Sequence, residues 1–342
     1  MEAKKLKIAS FFAGVGGIEL GFKEAGFSEP VYANEYDKNA IKTYEKNFMC
    51  KVDDRNICDV LPSDIKDNID IIMGGFPCQA FSIAGYRKGF EDTRGTMFFE
   101  MMRFIKEKKP SIVFAENVKN LVTHDKGNTF RVILNELKDE QYYIKYKIMN
   151  AMEYGNTPQN RERIYIVAFK DKSVYDAFRF PEKIERFRTL KDIIDFENDK
   201  DDKYYYYEGK YKGNIYQKLN EAMDDSEAIY QWRRKYVRKN QSNVVPTLTA
   251  NQGEGGHNVC LIRTKDGRIR KMTPKECFNA QGFPEEFILP EIADSKLYKQ
   301  AGNSVCVEVI KRIAEQLKIA VENNKYLVND QSLKNQIYHI PE

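Results

Sequence analysis

Lys7-Ile8-Ala9-Ser10-Phe11-Phe12-Ala13-Gly14-Val15-Gly16-Gly17 decides the fold. The apolar run Lys7 to Phe12 reads as a buried strand, and the glycines after it make a tight turn. Ile18 to Ala25 then opens a helix. A strand that ends in a glycine turn and a helix brings backbone close to a bound ligand. The same alternation continues. Strands are expected at Val31–Asn34, Ile69–Met73, Ile112–Ala115, Tyr143–Met149 and Ile164–Phe169, and helices at Lys38–Asn47, Gly95–Lys108 and Asn128–Asp139. Alternating strands and helices predict an α/β fold with a doubly wound, mostly parallel sheet. From about Pro181 to Arg270 the chain turns polar, tyrosine-rich and irregular, which marks a second, smaller β-rich domain. Within it Lys191 to Lys203 reads as a solvated linker or helix face, and Tyr204 to Tyr207 as strand packing. Helical periodicity returns at Val305–Ala320 and is expected to pack back on the first domain.

Composition narrows the function. The chain has 342 residues, 42% hydrophobic and 31% charged, enough for an α/β core plus a smaller domain. A net charge of +4 means that any nucleic-acid site must be a local patch. Six scattered cysteines form no CxxC pair, so no zinc knuckle or thioredoxin-type site is encoded, and no metal is expected. Scattered thiols suit a reducing cytosol. No signal peptide and no apolar run of membrane-spanning length is present. Three histidines, none beside a GxSxG elbow, argue against Ser-His-Asp chemistry.

The glycine turn lacks a dinucleotide fingerprint, because the third glycine position after Gly14 is Glu19. Glu35 ends the second strand, where a carboxylate accepts ribose hydroxyls. A nucleoside ligand without a pyrophosphate fits best, and S-adenosylmethionine is the expected cofactor. Gly75-Phe76-Pro77-Cys78-Gln79 follows a third strand and places a thiol at the ligand edge of the sheet. Glu116 follows another strand, and Arg161 and Arg163 lie in Gln159-Asn160-Arg161-Glu162-Arg163. Together they offer a nucleophile, an acid and a cationic clamp, which an electron-rich aromatic ring needs before its carbon can accept a methyl group.

Over nearly its whole length, and in motif order, the chain resembles the DNA (cytosine-5)-methyltransferase family of bacterial restriction–modification type. Phe12-Ala13-Gly14-Val15-Gly16-Gly17 is similar to the family's cofactor loop and Asn34-Glu35-Tyr36-Asp37 to its ribose and adenine contact. Gly75 to Gln79 is similar to the nucleophile loop, Arg94-Gly95-Thr96-Met97-Phe98 to the helix start after it, and Glu116-Asn117-Val118 to the acid motif. Gln159-x-Arg161-x-Arg163 resembles the clamp. Arg270 to Cys277 and Gln281-Gly282-Phe283-Pro284 resemble the structural motif behind the recognition domain. Gly302-Asn303-Ser304-Val305 resembles the final motif, whose Asn returns to the cofactor.

The resemblance implies a Rossmann-like methyltransferase domain over 1–180, completed by 296–342, a target-recognition domain over 181–269, and a hinge over 270–295. It implies catalytic Cys78, Glu116, Arg161 and Arg163, with Arg161 stabilising the nucleophile or its adduct. Cofactor contacts are expected from Phe12, Gly14, Val15, Gly17, Glu35, Tyr36, Pro77, Met97 and Asn303. Where the family usually has Gly-Asp-Ile meeting the adenine, this chain has Val52-Asp53-Asp54-Arg55-Asn56-Ile57; Asp54 is the expected contact, with Asp53 and Asp59 as alternatives. DNA contacts are expected from Gln79, Ser82, Arg94, Arg233, Arg234, Arg238, Thr247 and Leu248. The partner is double-stranded DNA, read at a short sequence and with its target cytosine flipped out. A companion restriction endonuclease without a stable complex, a monomeric state and the bacterial cytoplasm are also expected. An RNA (tRNA) cytosine-5 methyltransferase is the first alternative, against which the long 181–269 region argues. A catalytically silent DNA-binding protein and a nicotinamide oxidoreductase are the others.

Overall fold

In the computed structural model, residues 5–77, 97–211, 213–233, 235–252 and 260–337 are described. Seven strands form the central sheet: β1 (Ile8–Phe11), β2 (Tyr32–Asn34), β3 (Val52–Asp53), β4 (Ile71–Gly74), β5 (Ile112–Val118), β6 (Tyr143–Asn150) and β8 (Glu162–Phe169), in the order β3-β2-β1-β4-β5-β8-β6. The first five are parallel, and β8 runs antiparallel between β5 and β6. Both faces are buried along the inner strands, as apolar runs without alternation require, while the edge strand β6 exposes Tyr143, Tyr146 and Ile148. Ile8, Ile71 and Met73 face one apolar cluster with α1 (Gly17–Glu24) and α10 (Val307–Ile337). Ala9, Phe11 and Ile72 face the other with α3 (Met97–Lys108). Gly21 lets α1 and α10 cross closely, since a Cβ there would lie 2.6 Å from Ile310. The fold is thus α/β with a mostly parallel sheet, and its final helix begins at Val307 and continues well beyond Ala320.

The polar stretch after Pro181 holds a separate five-stranded antiparallel sheet, ordered β11-β10-β13-β14-β9. Its strands are β9 (Tyr205–Tyr206), β10 (Tyr230–Trp232), β11 (Val237–Lys239), β13 (Cys260–Arg263) and β14 (Ile269–Lys271). One face, with Tyr230, Leu261 and Ile269, is covered by α7 (Ile215–Ala222) through Leu219. The other, with Cys260 and Ile262, shares a core with Tyr44, Phe278 and Phe283 of the neighbouring elements. Lys191 to Lys203 is more than a solvated linker, because Ile193, Ile194 and Phe196 anchor it in that core. A two-stranded parallel bridge, β7 (Gln159–Asn160) with β12 (Val245–Pro246), stitches this region to the approach of β8.

Candidate active site

The glycine turn sits at the C-terminal edge of β1. Phe12, Gly14 and Gly16 all have positive φ (54°, 57° and 89°). Gly16 has no room for a side chain, since its Cβ would lie 2.1 Å from the Phe48 ring. Gly14 differs: its nearest neighbour would be its own turn's Phe12 carbonyl, 4.0 Å away, so its outer side is open. The Gly14 N–H donates to Glu35 Oε2 (2.8 Å), and the Tyr36 and Asp37 N–H groups donate to Glu35 Oε1 (2.8 and 2.7 Å). These three bonds aim the carboxylate across the turn and leave acceptor capacity for a hydroxyl. Tyr36 is 70% exposed beside it. A nucleoside with a free ribose edge fits this open, carboxylate-lined cradle.

Of the three aspartates considered for the adenine, Asp53 is occupied. Its carboxylate takes Tyr32 Oη (3.0 Å) and the Arg55 guanidinium (2.6 Å). Asp54 and Asp59 are exposed. Asn56, which sequence reading passed over, begins the turn Ile57–Asp59 and accepts from the Cys58 N–H (3.0 Å). Arg103 of α3 holds the same turn by donating to the carbonyls of Val60 and Ile57 (2.8 and 2.9 Å). The signal that could have found Asn56 is its place before Ile57, in register with Gly-Asp-Ile.

Glu116 lies within β5, not after it, because antiparallel pairing with β8 extends the strand to Val118. Its carboxyl is buried, and desolvation raises its pKa above the usual range while Arg163 and Arg161 pull the other way. Arg163 Nε approaches Glu116 Oε1 at 3.0 Å as an ion pair. Among the described residues Oε1 has no partner besides Arg163. Asn117 Nδ2 donates to the Phe76 carbonyl (2.7 Å) and tethers the loop two residues before Cys78. Gly75 gives that loop its approach, since a Cβ would come within 3.2 Å of Glu116 Oε2. The ends of β4, β5 and β8 are therefore gathered at one edge. Cys78, Gln79, Ser82, Arg94 and Arg234 lie outside the described residues; Pro77, exposed, and Met97, at the start of α3, flank that segment.

Other expected residues are placed less simply. Arg161 is buried and donates to the carbonyls of Leu248 (3.0 Å), Gly302 (3.1 Å) and Ser304. Leu248 sends its side chain into the core at 1% exposure, so it offers a duplex no apolar surface. Thr247 Oγ1 donates to the Asn160 carbonyl (2.6 Å), beside the clamp motif. Val15 is buried, as is Gly17, which is packed against Ser304 and Val305; Asn303 is exposed at the end of α9 (Asp294–Asn303). Arg233 is half-buried at the start of the β10–β11 turn, and Arg238 is exposed on β11. Lys239 of the same basic cluster is engaged by Asp224 and Asp225 (3.0 and 3.1 Å). Among the described residues no His/Cys/Asp/Glu group could hold a metal ion, and no helix is long and apolar enough to cross a membrane.

A family model described as C-5 cytosine-specific DNA methylase matches residues 6–319. The chain is 57% identical over 313 residues to Type II methyltransferase M.Bsp6I of Bacillus sp. (strain RFL6), covering 91% of this chain and 98% of that protein. It is 36% identical to Type II methyltransferase M.HhaI of Haemophilus parahaemolyticus, covering 90% and 93%. Among solved structures, a DNMT2 variant from Spodoptera frugiperda superposes with a TM-score of 0.70 at 22% identity, covering 91% of this chain and 99% of that one, a likeness of fold. The chain belongs to the C-5 cytosine-specific DNA methylase family, and it is a DNA cytosine-5 methyltransferase of the Type II restriction–modification kind.

Proposed function

We propose that the enzyme methylates C5 of one cytosine within a short duplex sequence, with Cys78 as nucleophile, Glu116 as the acid at N3 and Arg163 as the group that orients both acid and base. The observation that carries this reading is the buried Glu116 carboxyl, its pKa raised by desolvation, beside Arg163 and one residue from the Asn117 tether to the Cys78 loop. C5 of cytosine is a poor nucleophile. Addition of the Cys78 thiolate to C6 makes C5 electron-rich, and a hydrogen bond or proton from Glu116 to N3 absorbs the charge that builds up. The cationic Arg163 steadies the same site electrostatically. After methylation a base removes the C5 proton and the thiolate leaves.

The methyl donor is read as S-adenosylmethionine, which supplies an electrophilic methyl group when bound. Phe12 to Gly17 would cradle it, Glu35 would accept its ribose hydroxyls and Tyr36 would contact the adenine. Asn56 joins Asp54 as a candidate for the adenine edge, and Val15, Pro77, Met97 and Asn303 complete the cofactor site. Since a stacked cytosine is out of reach, the base must be flipped out. Residues 181–269 read the sequence, with 1–180 and 296–342 as the catalytic part and 270–295 as hinge. Thr247, beside the clamp, Gln79, Ser82, Arg94, Arg233, Arg234 and Arg238 are the proposed DNA contacts. We extend the reading to a monomer in the bacterial cytoplasm, accompanied by a restriction endonuclease. The RNA-directed alternative is not favoured, because the relatives named above, matched over about nine-tenths of this chain, are Type II methyltransferases.

A duplex carrying 5-fluorocytosine at the target tests the chemistry, since fluorine cannot leave as a proton does. The native enzyme should become covalently attached to it through the peptide containing Cys78. Cys78→Ala should bind DNA and donor yet form no adduct and transfer no methyl. Substantial turnover by Cys78→Ala would refute the mechanism.

A further inference from the structure

Arg161 was expected at the reacting ring, yet two of its nitrogens are spent on three main-chain carbonyls. Nη1 meets Leu248, and Nη2 meets Gly302 and Ser304. Leu248 belongs to the segment that leaves the recognition sheet; Gly302 and Ser304 belong to the motif at the end of α9. The same segment is held at two further points. Val245 and Pro246 pair with Gln159 and Asn160, and Thr247 Oγ1 reaches the Asn160 carbonyl. On the opposite side, a Cβ on Gly302 would lie 2.2 and 2.3 Å from the carbonyl carbon and oxygen of Thr249 and 2.5 Å from Ala250 N. Thr249 and Ala250 therefore rest directly on helix backbone that only glycine exposes.

We infer that Arg161 is a positioning residue that locks Thr247–Ala250 against Gly302–Ser304, with Gly302 as the floor of that seat, and that this seat sets sequence discrimination by fixing the recognition region relative to the methyl-donor edge. The inference rests on the proposed reading of residues 181–269 and of the methyl-donor site. Its physical basis is register. The guanidinium fork reaches carbonyls of two segments from separate nitrogens held in one rigid plane, whereas an ammonium donates from a single point. A displacement near 1 Å between reading and reacting groups is enough to cost about 100-fold in rate.

Two full-length variants test it. Arg161→Lys keeps the charge but loses the fork. Gly302→Ala removes no hydrogen bond, keeps an ordinary helical backbone and only wedges Thr249 away, so it carries the test alone if Arg161→Lys fails to fold. For each, the affinity for S-adenosylmethionine is measured, with kcat and KM on the preferred duplex and on duplexes altered at one flanking base pair. Both variants should bind S-adenosylmethionine within about threefold of the native enzyme, while preferred-over-altered discrimination in kcat/KM falls about tenfold or more. If Arg161 serves the reacting ring instead, Arg161→Lys lowers kcat with discrimination unchanged and Gly302→Ala changes neither; that pattern overturns the inference. A native enzyme that methylates no duplex would refute the underlying functional reading, whereas an active one whose variants keep full discrimination refutes this inference alone.

Discussion

Glu19 is a buried acid beneath the glycine turn, and replacing it with glutamine should reshape the enzyme's stability against pH. The side chain is 2% exposed, its Oε1 accepts from Ser10 Oγ (2.5 Å), and its Oε2 has no hydrogen-bond partner among the described residues. Desolvation, partly countered by the Ser10 hydrogen bond, moves its pKa from 4.5 to about 7. Between those pH values the folded state holds a proton that the unfolded chain has released, so stability falls as pH rises through that window. At ~1.4 kcal/mol for each pH unit between the two titrations, the fall totals about 3 kcal/mol. Glu19→Gln keeps the shape and the acceptor for Ser10 but cannot ionise. The native enzyme and variant should be equally stable, to within about 1 kcal/mol, near pH 4.5, and the variant should be more stable by about 3 kcal/mol at pH 8. Urea unfolding at intervals from pH 4.5 to 8 isolates the group, since every other titration is common to both proteins. A native-minus-variant difference that stays level across that range would refute the argument that Glu19 folds protonated.

Three further outcomes follow from named contacts. Glu35→Ala should weaken S-adenosylmethionine binding by about 1–3 kcal/mol in calorimetry while leaving DNA affinity unchanged, because a charged acceptor at the turn is removed. Glu116→Gln should lower kcat by about 10²- to 10⁴-fold. In the native enzyme kcat should decline as pH rises through the raised pKa of Glu116, and the variant's residual rate should lack that alkaline limb. Arg270→Leu should destabilise by about 3–5 kcal/mol in unfolding titrations, because it strands Glu276, whose two oxygens Arg270 binds at 2.7 and 2.8 Å with neither residue exposed.

The first half of the sheet was legible because its signals are local. Ile8–Phe11 is a short buried run closed by glycines, and Lys38–Asn47 is an amphipathic helix capped by Asp37, whose carboxylate takes the Asn39 N–H at 2.9 Å. Glu116 was expected to follow its strand and instead lies within it. The pairing that extends β5 to Val118 comes from β8, more than forty residues later, and no local pattern announces it. Of the five-stranded antiparallel sheet, only Tyr204–Tyr207 was legible as strand, where β9 lies. Its strands are two to four residues long, too short for a period of two to show, and their order brings β14 between β13 and β9. Arg161 and Leu248 illustrate the remaining limit. A basic residue in a clamp motif and an apolar one beside Thr247 invite roles at a ligand, whereas their neighbours, Gly302 and the shared core, are set only by the fold. The Lys191–Lys203 stretch misled for the reverse reason, since its charges outnumber the three apolar residues that anchor it.

The central claim is that this chain places a methyl group on C5 of cytosine at one short duplex sequence. The direct measurement is bisulfite sequencing of a randomised duplex library after incubation with the purified enzyme and S-adenosylmethionine. Protected cytosines should appear only when S-adenosylmethionine is present, always at one fixed position of a single short motif, and never with Cys78→Ala. Full conversion of every cytosine, or protection scattered without a motif, would contradict the account.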